Sequence, residues 1–187
     1  MSRISIPSIE QSLEASKPLL AAVKQQLGVV PNLMRLVGLS PAALEGYLSL
    51  NGALGKGKLD AKLRERALAV AEFNGCDYCL SAHDYLGRNV AKLSGEEIDA
   101  AREGHSSDPR AAAALRFALQ VAEAHGRVSD ADLAALRNAG FDEGAVIEIV
   151  VTVALNVLTN YVNNVARTDI DFPKVTAGKM VAMATST

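Results

Sequence analysis

Tryptophan is absent from this 187-residue sequence, and aromatic residues together make up only 4% of it. Ala, Leu and Val must therefore fill any core, a composition suited to packed helices. Sustained alternation of apolar and polar residues, which a half-buried strand needs, is missing as well, so no sheet is expected. No run of Lys or Arg is long enough to follow a phosphate backbone, and 19 basic residues against 21 acidic ones leave a net charge of −2. That balance argues against a nucleic-acid partner. The segment from Met1 to Glu10 lacks the apolar run of a secretory signal, so a cytoplasmic location is expected, with no membrane partner. No G-x-G-x-x-G loop is present to cradle a nucleotide, and no cofactor is expected. Cysteine is scarce, limited to Cys76 and Cys79. A reducing compartment disfavours structural disulfides, so this C-x-x-C pair reads as redox-active or metal-binding.

What the sequence does contain is a series of helix starts and stops. Ser40 before Pro41 and Asp108 before Pro109 each place a capping side chain next to a proline at the first helical position. Ser94 with Glu97 matches a capping box, and Asp142 sits between Phe141 and Val146, which form a hydrophobic staple pattern. Gly104, Gly126 and Gly140 read as stops. These signals predict helices near residues 9–27, 41–55, 60–73, 77–90, 95–103, 109–125, 130–139 and 143–166. The length fits one all-α domain, a helical bundle over residues 1–187, with a loose C-terminal tail after about residue 174. The last helix is apolar on every side, which marks it as a central or subunit-interface helix. A membrane span is disfavoured because Glu148, Thr152 and Asn156 interrupt the run.

The chemistry-bearing residues cluster between Asn74 and His83. Asn74-Gly75 breaks one helix, which puts Cys76 at or near the cap of the next and Cys79 in its first turn. The positive end of a helix dipole and its unpaired N–H groups stabilise a thiolate, the reactive form of cysteine. His83 lies four residues after Cys79, one turn along the same face, within reach for proton exchange directly or through one water. Other readings remain open. Cys76, Cys79 and His83 could supply three zinc ligands, although a closed structural site wants a fourth. Buried cysteines are often inert small hydrophobes. A thioredoxin-like use of C-x-x-C would need a βαβ setting that this sequence lacks. His105, in a serine-rich loop, reads as solvated, and His125 as a cation in the last turn of a helix.

At Leu63-Arg64-Glu65 and from Ala69 to His83, the sequence resembles the carboxymuconolactone decarboxylase and alkylhydroperoxidase D-like superfamily, in particular its small peroxidase-related members. The similarity extends from Gly28 to Asn164 and through Asp171-Phe172-Pro173. This resemblance implies an all-helical subunit, assembly into trimers or hexamers, and hydroperoxide reduction through the dithiol. By position, Cys79 matches the peroxide-attacking cysteine, Cys76 the resolving one and His83 the proton-relay histidine. The resemblance also implies an external dithiol reductant, lipoylated or thioredoxin-like. The family glutamate stands twelve residues before the first cysteine; here that place is Arg64, and Glu65 stands eleven before. Losing one residue turns a helix by about 100°, so Glu65 serves as the base only if the helix shifts or bulges. Glu72, seven residues later on nearly the same face, is the alternative, with Glu65 preferred. The lactone decarboxylase branch lacks this dithiol, so Cys76 and Cys79 argue against it. A metal-binding or redox-sensing scaffold is the competing class.

Overall fold

The computed structural model describes residues 2–178. Its helices are α1 (Lys17–Leu27), α2 (Asn32–Val37), α3 (Pro41–Leu54), α4 (Ala61–Glu65), α5 (Leu68–Phe73), α6 (Asp77–Asn89), α7 (Gly95–Arg102), α8 (Pro109–Glu123), α9 (Asp130–Asn138) and α10 (Glu143–Ala166). A 3₁₀ turn, Glu14–Ser16, precedes α1. The described residues are 64% helical and contain no strand, so the fold is all-α as the sequence implies.

The anticipated caps set the helix starts. Ser40 accepts a hydrogen bond from the Ala43 N–H, Asp108 from Arg110 and Asp142 from Ala145. Ser94 and Glu97 form a complete capping box, and Ser129 with Asp132 forms a second. Gly140 follows α9 at φ +85°, a left-handed conformation that carries a steric cost for any side chain. His125 does not sit in a last helical turn: α8 ends at Glu123, and His125 is exposed beyond it at φ +53°.

Three departures have local causes. Residues 9–13 do not continue α1, which opens at Lys17 with Pro18 in its first turn. α2 has no side-chain cap and is too short to show a periodicity. Burial of Leu33, Met34, Leu36 and Val37 holds it. The third is the break between α4 and α5, where a single helix over 60–73 was expected. Through it, Ala67, Ala69 and Val70 donate to the carbonyls of Arg64, Arg66 and Ala67, the three-residue spacing of 3₁₀ winding. That winding turns the chain about 120° per residue instead of about 100°, so about five such residues recover the rotation that one missing residue removes.

α5 lies at the centre. Leu68, Ala69, Val70 and Ala71 expose no surface. Leu68, Ala69 and Ala71 join Leu20, Leu44, Leu80, Ile98 and both cysteines in one apolar cluster. Val70 joins Phe117, Leu136, Phe141, Val146 and Ile149 in the other. Each fully buried leucine stabilises the fold by about 1.5–3 kcal/mol, before the entropy of ordering it. α10 spans the assembly and touches α2, α3, α5, α6 and α8. By length and composition it could cross a membrane (mean hydropathy 1.8), yet 44% of that stretch is buried inside the protein. A stripe of asparagines at 156, 160 and 163 faces inward, each nearly or fully buried.

The segment after residue 174 is not loose as far as Gly178. The Val175 N–H donates to Ser81 Oγ at 2.9 Å, and the Ala177 N–H donates to Asp77 Oδ1 at 2.9 Å. Arg102 Nη2 donates to the Thr176 carbonyl at 2.7 Å, and the Gly178 N–H donates to Glu72 Oε1. Buried Glu72, Ser81 and Arg102 and half-buried Asp77, on α5, α6 and α7, thus bind the backbone of this segment, groups that water would otherwise solvate. Residues 179–187 lie outside the described residues.

Candidate active site

Gly75 adopts φ +61°, the left-handed turn that reverses the chain between α5 and α6. α10 pins this turn: Asn74 Nδ2 donates to Asn160 Oδ1 at 2.8 Å, and Asn164 Nδ2 donates to the Asn74 carbonyl at 3.0 Å. Cys76, fully buried, then stands at the N-cap of α6. Its sulfur takes the place of the usual capping oxygen, accepting the Cys79 N–H at 3.3 Å. Cys79 occupies the first turn and is 4% exposed. Both cysteines are free thiols.

The two sulfurs are electrostatically unequal. A hydrogen bond from Cys76 lowers the Cys79 pKa most; burial opposes it, while Asn160, Asn163 and the charge of His83 add to the lowering, and the result is about 6. Asn163 Nδ2 donates to Cys79 Sγ at 3.2 Å. Cys76, as the donor to its neighbour and in burial, is pushed well above the ordinary thiol range. At pH 7 a thiol of pKa about 6 is about nine-tenths thiolate, against a few per cent for an ordinary cysteine.

His83 projects from α6 between two acceptors. Its Nδ1 lies 2.8 Å from Glu65 Oε2, and its Nε2 lies 2.8 Å from Asn156 Oδ1. With an acceptor oxygen at each nitrogen, the ring is satisfied when both nitrogens carry protons. Burial by itself would lower the His83 pKa, but the hydrogen bond and charge of Glu65 and the charge of Cys79 raise it to about 9. Near neutral pH the resting pair is therefore a thiolate and an imidazolium. Both His83 nitrogens are committed to Glu65 and Asn156 among the described residues, so the influence of His83 on Cys79 is one of charge, not the direct hydrogen bond that the spacing suggested. Tyr47 of α3 borders the site: burial, with the negative charges of Cys79 and Glu65, pushes its phenol up to about 12.

Cys76, Cys79, His83 and Glu65 are thus brought together, the last by the break between α4 and α5. Glu72 is not with them. It is paired in the interior with Arg102 Nε at 2.9 Å, its side chain fully buried, because the tighter winding after Glu65 turns α5 so that Glu72 faces α7. His105 and His125 are exposed on loops after α7 and α8. Among the described residues, no group of three or more His, Cys, Asp or Glu side chains is placed to hold a metal ion. Asn156, Asn160 and Asn163 had not been singled out as site residues. Their signal was the spacing of four and three on an otherwise apolar helix, which puts three amides on one face.

The carboxymuconolactone decarboxylase family model matches residues 41–124, which contain the dithiol, His83 and Glu65. Over nearly the whole chain, the fold is similar to a protein of Ralstonia eutropha JMP134 described as an alkylhydroperoxidase AhpD core and uncharacterized peroxidase-related protein. The TM-score is 0.81 at 27% identity, covering 91% of this chain and 92% of that one. The family match over residues 41–124 and the shared fold support the carboxymuconolactone decarboxylase and alkylhydroperoxidase D-like superfamily. Within that fold the chain is also similar to an uncharacterized peroxidase-related protein of Silicibacter sp. TM1040, with a TM-score of 0.78 at 23% identity, covering 90% and 91% of the two chains. A debrominase shares the fold as well, with a TM-score of 0.72 at 20% identity and 89% and 94% coverage. No curated protein matches the chain.

Proposed function

We propose that this protein is a dithiol peroxidase that reduces hydroperoxides with Cys79 as nucleophile and Cys76 as resolving thiol. The observation that carries the reading is the inequality of the sulfurs: Cys79 is stabilised as thiolate by Cys76, Asn160, Asn163 and His83, while Cys76 keeps its proton. The peroxidase-related descriptions of two structural relatives agree with it. In the first step the thiolate attacks the distal oxygen of ROOH. The S–O bond forms, the O–O bond breaks, sulfur is oxidised to sulfenic acid, and alkoxide leaves with the electron pair. His83, held as imidazolium by Glu65, gives its Nε2 proton to the alkoxide in exchange for Asn156. Cys76 then attacks the sulfenic sulfur, releasing water and closing the disulfide. An external dithiol, carried by a lipoylated or thioredoxin-like protein, reopens it by exchange.

Assembly belongs to the same proposal. Ile147, Val151, Ala154, Leu158, Tyr161 and Val165 recur at spacings of four and three along α10, and Ile147, Leu158, Tyr161 and Val165 are 62%, 45%, 55% and 63% exposed. An apolar stripe of that period on a long helix suits a second copy of itself, consistent with a cytoplasmic homo-oligomer, a trimer or hexamer.

The test is peroxide consumption by the purified protein with dithiothreitol or dihydrolipoamide, using hydrogen peroxide and an alkyl hydroperoxide. Turnover that needs both thiols is the expected result. Stoichiometric bound zinc with no peroxide consumed would replace this reading with a metal scaffold.

A further inference from the structure

Thiolate formation alone does not make a fast peroxidase. Lowering a thiol from about 8.5 to about 6 raises the thiolate fraction at pH 7 by roughly 30-fold. The same shift costs roughly tenfold in intrinsic nucleophilicity, since reactivity falls with pKa at a slope of about 0.4–0.5. The net gain is only a few-fold. Most of any rate advantage must come from holding the peroxide in line with the sulfur and protonating the leaving group.

One side chain bonded to the reacting sulfur has an idle acceptor. Asn163 is 2% exposed, and its Nδ2 lies 3.2 Å from Cys79 Sγ. Its Oδ1 is buried and has no hydrogen-bond partner among the described residues. Leaving such an acceptor unsatisfied costs about 1–3 kcal/mol. The neighbouring amide, Asn160, is oriented by Asn74 through its own Oδ1; Asn163 has no such tether at its oxygen. An amide bonded to the reacting sulfur through nitrogen, with its oxygen unspent, can accept one more hydrogen beside that sulfur.

We infer that Asn163 is a catalytic residue with two functions: its Nδ2 donates to the Cys79 thiolate, and its Oδ1 accepts the O–H of the hydroperoxide, holding the distal oxygen against the sulfur. This rests on the peroxidase reading and assigns it a substrate rule, since a peroxide must carry an O–H to be held. The hydrogen accepted by Oδ1 stays on the distal oxygen throughout and becomes the sulfenic O–H. The leaving oxygen takes its proton from His83. Since Cys79 is 4% exposed, the surrounding side chains part to admit the peroxide, and a small one enters most readily.

The test compares two reactions of reduced Cys79 followed by mass spectrometry in single-turnover conditions: oxidation by hydrogen peroxide and alkylation by iodoacetamide. Iodoacetamide reports the thiolate but has no O–H to be held. Both reactions of each variant are measured at one pH below the His83 titration, where the acid is present and the thiolate fraction, common to the two rate constants, cancels from their ratio. In Asn163→Leu the ratio of the peroxide rate constant to the alkylation rate constant falls about tenfold, the worth of one hydrogen bond to substrate. In Asn163→Asp, which keeps an acceptor of the same shape and lacks the amide donor, the thiol titration moves up while the ratio stays within about threefold of the parent, because the acceptor worth that hydrogen bond remains. Should Asn163→Leu fail to fold by circular dichroism, Asn163→Ala takes its place with the same expectation. An unchanged ratio in the apolar variant, or equal losses in the apolar and acidic variants, overturns the assignment. If the parent reacts with hydrogen peroxide no faster than dithiothreitol thiolate, the peroxidase reading itself fails and takes this assignment with it.

Discussion

Glu65→Gln isolates the electrostatic half of the site with little change in shape. The imidazolium of His83 exists near neutral pH because the Glu65 carboxylate, aided by the charge of Cys79 and the bond to Asn156, outweighs burial, raising the pKa from 6.5 to about 9. An amide oxygen can still accept the Nδ1 hydrogen but brings no charge. Burial, the largest opposing influence, then takes the histidine below its ordinary value. At pH 7.5 the parent ring is about 97% protonated, and a ring at or below about 6.5 is no more than about 9% protonated. That alone removes about tenfold of the acid available to the leaving alkoxide, and complete loss of general-acid catalysis would remove about 100-fold or more. Cys79 also loses a positive neighbour, so its titration moves up. In the parent, the single-turnover rate rises as pH increases through about 6, where Cys79 ionises, and falls through about 9, where His83 loses its proton. In the variant the two limbs cross: thiolate appears only where imidazolium has gone. Quenched-flow oxidation by hydrogen peroxide from pH 5 to 10 should show a bell collapsing to a low, narrow profile, and the imidazole carbon resonances should titrate below pH 6.5. Superimposable profiles, or a histidine that still titrates near 9, would refute this account of the resting pair.

Glu72→Gln should behave oppositely. It breaks a buried pair with Arg102, so it should cost about 3–5 kcal/mol in urea unfolding while leaving the single-turnover rate of the folded protein unchanged. Leu80→Ala, at a side chain with no exposure, should cost about 2–5 kcal/mol by the same measurement. Tyr161→Glu places a charge in the exposed stripe of α10; light scattering should show dissociation toward monomer, with helical content retained.

The helix plan was legible because local chemistry dictates it. Ser40, Ser94, Asp108 and Asp142 each satisfy an N–H that would otherwise be idle, and such short-range bonds can be read from neighbouring residues. The dithiol was legible for the same reason, as Asn74-Gly75 and the C-x-x-C spacing place both sulfurs at the start of α6 without reference to the rest of the fold. The choice between Glu65 and Glu72 was not decidable by spacing, since a uniform helix puts both on nearly one face. Only the tight winding at Arg66–Ala67 separates them, aiming Glu65 at His83 and Glu72 at Arg102. The asparagines of α10 act on Cys79 and His83 across 73 to 84 residues of sequence, contacts that arise from packing. Asn156 in an apolar helix had looked like an interruption; its environment makes it the acceptor for His83.

The central claim is the division of labour between the sulfurs, and one measurement addresses it directly: oxidation of Cys76→Ser and Cys79→Ser by a single equivalent of hydrogen peroxide, with a sulfenic-acid trap and mass mapping of the peptide that carries both positions. The account predicts one rapid turnover in Cys76→Ser, with trapped sulfenic acid on Cys79 that advances to sulfinic acid in excess peroxide, and no rapid oxidation in Cys79→Ser. Trapped sulfenic acid on Cys76 in Cys79→Ser, formed as fast as in the unmodified protein, would contradict it.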